Sequence, residues 1–338
     1  MMTNNQFFLS YWVKRFLLEY LISVKNLSRN TQHSYRDTFR LYLSHTAEKI
    51  NKPVDQLTIE DMSPDSIKEF LQNVESERQC SIATRNQRLA AIHAFAQFVG
   101  VNNPEYNEWC RQIRLIPIKR TSKPLITYLE KDEMDALLNA PTRLTDLGRR
   151  DYAILLFLYN TGARADEVAQ LTIGDLDIAY NNKNGISTVL IRGKGNKLRR
   201  CPLWNDTVNE LVHLISDRKR TEHVFLNRNK QPLTRFGIHT LVKKYVTKLI
   251  SQYPSIEIKH VSPHTIRHTT ATHLLRAGVD INTIRAWLGH VSINTTNVYV
   301  EVDLEMKAKA LACCEMVSKK TKKRWGDNKD LMSFLDSL

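Results

Sequence analysis

Cysteine is scarce in this 338-residue chain. The five present, Cys80, Cys110, Cys201, Cys313 and Cys314, include no C-x-x-C spacing. An odd, unpatterned set excludes a disulfide framework and any zinc motif, and it points to a reduced, cytoplasmic protein. Eleven glycines and ten prolines are too few for long flexible linkers or a collagen-like repeat. The longest strongly apolar run, near Tyr152–Tyr159, is far below the ~20 residues that span a bilayer. The N-terminus lacks a basic stretch leading into an apolar core with a small-residue cleavage site. There is no internal repeat, no P-loop and no carboxylate cluster.

Acidic residues are also in short supply. Forty-nine Lys and Arg against 35 Asp and Glu leave a formal charge of +14. A surplus of this size points to a polyanionic partner, nucleic acid before membrane. Its distribution is uneven, at +2 over residues 1–115 and +12 over the remainder. Composition is otherwise that of a globular protein, 42% apolar and 25% charged, with enough chain for two domains.

Residues 7–24 recur apolar at helical spacing. Ser28 or Asn30 opens a helix to about Thr46, and Ser63-Pro64 opens another to Val74. A third starts at Ser81 or Thr84 and is expected to stop at Gly100. The first domain, 1–112, is therefore all helix. Residues 113–126 carry prolines and the basic Lys119, Arg120 and Lys123, and they read as a linker suited to lie on a phosphate backbone. The second domain, 127–318, should be mainly helical around a small β-sheet. Helices are expected near 130–138, 147–159, 163–171, 206–216, 235–250, 263–277, 280–288 and 304–316. Strand character lies at 175–177, 188–191 and 197–202, with Gly193-Lys194-Gly195-Asn196 as a turn. A basic, then polar, tail fills 319–338.

Five features can carry chemistry. In Thr161-Gly-Ala-Arg164-Ala-Asp-Glu167, a glycine turns the chain into a helix start, where Arg164 offers a fork to a phosphate and Glu167 shares its face. Taken alone, this is an ordinary arginine–glutamate surface pair. Lys194 stands at a hairpin tip, and residues 183–200 hold six basic residues and no acidic one. In Pro263-His264-Thr-Ile-Arg267-His268, His264 and Arg267 sit three apart on one helix face. With no acidic partner, His264, His268 and His273 do not match a metal motif, and the last two read as structural. Trp287-Leu-Gly289-His290 ends a helix, and Tyr299 follows nine residues later.

Together, T-G-A-R, G-K-G, H-T-I-R-H, L-G-H and the final tyrosine resemble the tyrosine recombinase (integrase) family in order and in the distances between the last three. The likeness covers the whole chain, with Leu27–Tyr35 and Thr84–Leu89 carrying it in the first domain. Ala163 and Ala165 depart from it, replacing the bulkier residues usual beside this arginine. The resemblance implies a two-domain, C-shaped DNA clamp, a helical core-binding (SAM-like) domain plus a catalytic domain. It implies strand transfer through a 3′-phosphotyrosine on Tyr299, with Arg164 and Arg267 as phosphate clamps, His264 as base and Lys194 as acid. His290 would contact the phosphate, and Glu167 would support. No cofactor, metal or ATP is implied. The partners implied are double-stranded recombination sites, three further copies in a tetramer, and accessory DNA-bending or directionality proteins. Other DNA contacts are expected from Arg36, Arg85, Arg88, Lys119, Arg120, Lys123, Arg192 and Lys197. Integration, excision or transposition of a mobile element leads over dimer resolution. A non-catalytic DNA-binding protein and a nuclease or relaxing topoisomerase are the alternatives of other classes.

Overall fold

The computed structural model describes residues 7–121, 126–179, 185–193, 195 and 197–289. The chain divides into two compact units, 1–124 and 125–338.

In the first unit, α1 (Leu9–Arg15) continues into a π-helical segment, Phe16–Val24, where a single helix was expected. Then come α2 (Arg29–Lys49), α3 (Pro64–Ser76), α4 (Ile82–Asn102) and α5 (Asn107–Arg114). Their core is aromatic. Phe16, fully buried, stacks on Tyr20 and Tyr35 and meets Phe39 and Phe95 edge-on. Such ring pairs add about 0.5–1.5 kcal/mol each beyond the apolar area they bury. Ser28, Ser63 and Ser81 cap α2, α3 and α4, their hydroxyls accepting from the N–H groups of Thr31, Ser66 and Thr84. Each cap is worth roughly 1 kcal/mol.

Gly100 does not stop α4. It lies buried inside the helix, where an added Cβ would stand 3.0 Å from Cys110 Cβ. The glycine admits α5, a helix the sequence pattern did not announce. Ile113, in the last turn of α5, and Ile116, just beyond it, join the same core. Asn86 Oδ1 accepts the Lys119 N–H at 3.1 Å, and Asn86 Nδ2 donates to the Lys119 carbonyl at 2.8 Å. The segment expected to be linker from residue 113 is thus held on the first unit as far as Lys119.

The second unit contains α6 (Lys131–Asn139), α7 (Asp146–Thr161), α8 (Ala165–Ala169), β1 (Leu176–Asp177), β2 (Thr188–Arg192) and β3 (Leu198–Pro202). Next are α9 (Asn205–Ile215), α10 (Arg235–Leu249), the short α11 (Ser255–Ile258), α12 (Pro263–Arg276) and α13 (Ile281–Leu288). The strands form one antiparallel sheet in the order β1-β2-β3. Every residue of α7 from Asp151 to Thr161 is buried, making it the central helix of the core. α8 is shorter than the expected 163–171 because the chain after it pairs with another backbone segment. The Val224 N–H donates to the Leu171 carbonyl, and the Ile173 N–H to that of Glu222. The expected helix at 304–316 and the tail lie outside the described residues.

Candidate active site

Three helix ends and one strand converge on the turn after α7. Gly162 caps α7 at φ 60°, a conformation glycine adopts freely. A Cβ there would come within 2.5 Å of Leu288 Cδ2. Thr270 Oγ1, on α12, donates to the Tyr159 carbonyl at 2.7 Å. Trp287 Nε1, on α13, donates to the Asn160 carbonyl at 3.3 Å. Ala163 and Ala165 are both buried, so the small side chains beside Arg164 fit a tight turn.

Arg164 stands at the N-cap of α8 with its side chain about one-third exposed. Its Nη1 donates to Glu167 Oε1 at 2.8 Å, and its backbone N–H to Oε2 at 2.9 Å. Glu167 is buried. Burial alone would raise its pKa, but the donors from Arg199 and Arg164 outweigh that and hold the carboxyl below its ordinary value. α8 has five residues, so the positive field here comes from guanidinium groups more than from a helix dipole.

Arg267 lies deeper than an open clamp would. It is 1% exposed, and its Nη1 and Nη2 donate to the carbonyls of Gly162 at 2.7 Å and Leu288 at 2.6 Å. The same side chain therefore builds the turn that carries Arg164. His264 is exposed on the first turn of α12, its ring 4.4 Å from that of His268. The protein crowding the imidazole, then the charges of Arg267, Arg164 and His239, lower its pKa, which favours the neutral base. His268 is pushed down to about 4 by burial, then by His264 and Arg267. His273 Nδ1 pairs with Tyr159 Oη at 2.7 Å, a structural contact between α12 and α7. Among the described residues no three His, Cys, Asp or Glu side chains gather to hold a metal ion.

Arg199 was counted in the sequence only as one of six basic residues. Here its side chain is buried, donating from Nη2 to Glu167 Oε2 at 2.7 Å and from Nε to the Trp287 carbonyl at 2.9 Å. Strand register carried the signal. Arg199 pairs with Ile191 and Cys201 with Val189, and both β2 residues are buried. Directly opposed residues share a face, so Arg199 had to point inward.

Lys194, His290 and Tyr299 lie outside the described residues, as does Lys123. The remaining expected DNA contacts are scattered. Arg36 is exposed and paired with Asp37, and Arg192 is exposed and paired with Asp175. Lys119 is paired with Glu75, while Arg120 and Lys197 are exposed and Arg88 half-buried. Arg85 differs from the expectation. It is 6% exposed, with Nη1 donating to the Pro117 carbonyl at 3.0 Å and Glu75 at 3.8 Å, so it holds the first unit together and does not face solvent.

A carboxylate held between two arginines, a third arginine beneath them and a histidine at the rim form a cationic cluster with the chemistry to bind a phosphate ester. Two family models match the chain in succession, the phage integrase N-terminal SAM-like domain over residues 13–100 and the phage integrase family over 127–306. The chain belongs to the phage integrase family, the tyrosine recombinases, which are site-specific DNA recombinases. It is similar to the putative integrase/recombinase y4rC of Sinorhizobium fredii, 35% identical over 328 residues, covering 96% of this chain and 97% of the relative. It is also similar to tyrosine recombinase XerC of Oceanobacillus iheyensis, 30% identical over 294 residues, covering 84% and 90%. Among solved structures, XerH recombinase bound to a palindromic difH substrate shares the fold at a TM-score of 0.67, with 20% identity and coverage of 89% and 94%. The Tn1549 transposon integrase in complex with transposon right end DNA does so at 0.66, with 18% identity and coverage of 88% and 98%.

Proposed function

We propose that this protein cuts and rejoins DNA at a defined site by transesterification, with Tyr299 as the nucleophile and a 3′-phosphotyrosine as the intermediate. The observation that carries this reading is the shared turn. Arg267 from α12 bonds the Gly162 carbonyl while Arg164 leaves the same turn two residues on, so two permanent charges are held in one place. Charge fixed before the reaction begins is what a phosphoryl transition state needs. Arg164 grips the non-bridging oxygens. Arg267 contributes its charge from beneath and keeps the turn rigid. His264, neutral, accepts the Tyr299 phenol proton, and Lys194 gives one to the departing 5′ oxygen. His290 bonds the phosphate. One ester replaces another, so the free energy of the bond is retained for the second strand's 5′-hydroxyl to recover.

The substrate is double-stranded DNA carrying paired sites, held by a two-domain clamp and synapsed by four copies, with accessory DNA-bending or directionality proteins as further partners. Site binding falls to the first domain, 1–112 together with the 113–119 segment packed on it, and catalysis to 127–318. Mobile-element integration, excision or transposition is the favoured role, supported by the near end-to-end likeness to the y4rC integrase/recombinase. Dimer resolution is the second reading, supported by the likeness to XerC.

Covalent capture tests the chemistry. Purified protein is incubated in chelator with sheared genomic DNA of its source, then denatured, and the protein-linked DNA is sequenced. An adduct formed by the wild type and absent with Tyr299→Phe is the expected result, and it reveals the site as well. Adduct persisting in Tyr299→Phe removes Tyr299 from the reaction, and DNA cut without any adduct, only when a divalent metal replaces the chelator, points to a metal-dependent nuclease.

A further inference from the structure

We propose that Arg199 is a positioning residue for strand cleavage, one buried guanidinium that sets Glu167, and through it Arg164, in register with the end of α13. This rests on the recombinase reading above.

Three segments meet on this side chain. Its Nη2 bonds Glu167, which in turn receives both the side chain and the backbone N–H of Arg164. Its Nε bonds the Trp287 carbonyl, which Cys201 Sγ also approaches at 3.5 Å. The third segment is the β2–β3 turn. A Cβ on Gly193 would lie 3.5 Å from Arg199 Nη1 and 3.3 Å from Glu167 Oε1. A Cβ on Gly289 would lie 3.1 Å from Arg199 Cδ and 3.3 Å from Nη1. The Gly289 backbone thus comes against Arg199 where a side chain would crowd it, and a side chain on Gly193 would touch the guanidinium in ordinary contact while crowding Glu167. Gly193 directly precedes Lys194 in the chain, and Gly289 directly precedes His290. The residue consequently touches the stretches that lead into the proposed acid and phosphate ligand, and it restrains the glutamate that aims Arg164.

Arginine suits this place because its planar fork donates in several fixed directions at once. A lysine keeps the charge but cannot reach Glu167 and the Trp287 carbonyl with the same geometry. An apolar side chain leaves Glu167 with Arg164 as its sole arginine partner in this cluster, and the pair closes on itself. That withdraws Arg164 from a phosphate without removing it.

The test uses the full chain and a duplex bearing the site recovered by capture through Tyr299. The rate of covalent adduct formation in a single turnover and the half-saturation for DNA binding are measured for wild type, Arg199→Met, Arg199→Lys, Glu167→Gln and the Met/Gln pair. In Arg199→Met, binding stays within about threefold while cleavage falls by about 10²-fold, the penalty typical of a misplaced reacting group. Arg199→Lys recovers roughly a tenth of the wild-type rate. Adding Glu167→Gln to Arg199→Met slows cleavage by less than about threefold more, because the two act through one contact. The proposal is overturned if Arg199→Met cleaves within about threefold of wild type, if binding and cleavage fall together, or if the two substitutions multiply. Should Arg199→Met lack a cooperative melt, Arg199→Lys decides, with slowed cleavage and intact binding in support and a wild-type rate against. Absence of adduct from the wild type, run alongside, strikes the recombinase reading instead.

Discussion

Arg85 and Arg267 are both buried arginines, 6% and 1% exposed, and each donates to backbone carbonyls of distant segments. Their surroundings differ. Arg85 lies beside Glu75, which also takes Lys119, in the part of the chain whose charge nearly cancels. Arg267 shares its cluster with Arg164, Arg199 and His264 in the strongly basic part, where the one carboxylate in the bonds described is Glu167 between Arg164 and Arg199. Burying charge is costly unless an opposite charge offsets it. In the first unit the protein supplies that charge itself, and the result is stability. In the second, three arginines gather around one described carboxylate, and the phosphate of the proposed reaction would bring further negative charge.

The largest expected effect separates the two directly. Arg267→Lys keeps one charge but loses one of two carbonyl bonds, and adduct formation should fall by about 10³-fold, the scale on which arginines act in phosphoryl transfer. A rate within tenfold of wild type, in protein that melts normally, would return Arg267 to a purely structural role beside Arg85. Gly162→Ala comes next. The left-handed φ and the 2.5 Å approach to Leu288 should together cost about 1–3 kcal/mol of stability, read by denaturant titration. Cleavage should slow as the turn shifts, and an unchanged transition midpoint would show that the turn yields cheaply.

Arg85→Met is the mirror experiment. Loss of its carbonyl bond and of the charge beside Glu75 should lower stability by roughly 1–3 kcal/mol while cleavage per folded molecule stays within about twofold. A selective loss of cleavage or DNA binding would break the contrast. The smallest effect is a titration. Crowding and the neighbouring positive charges depress the His264 pKa, so its imidazole in the free protein should stay neutral at neutral pH and gain its proton below the ordinary 6.5. NMR titration checks this with His264→Asn to assign the signal. A midpoint at or above 6.5 means that the positive cluster does not act on the ring. Added DNA should move the midpoint upward, since phosphate stabilises the protonated form.

Much of this architecture was legible in the residues. Serines 28, 63 and 81 announced their helices because capping is a contact between near neighbours. The three strands fell where β-branched runs and the G-K-G-N turn placed them. Gly100 misled because a glycine that stops a helix and one that admits a neighbouring helix look alike in sequence. Only the 3.0 Å space to Cys110 separates them. Arg85 misled in the same way, since a helical arginine bears no local mark of the Pro117 carbonyl 32 residues away.

The order T-G-A-R, H-T-I-R-H and the motifs between and after them sufficed for the resemblance to the family and, through that resemblance, for the chemistry to expect. The tertiary structure decided which arginines do what. It turned Arg85 into the first unit's core, sank Arg267 beneath the turn that carries Arg164, and brought Arg199 from a basic hairpin to the glutamate behind Arg164. Burial and partnership depend on segments distant in the chain, and a guanidinium takes its role from the charges and carbonyls that folding places around it.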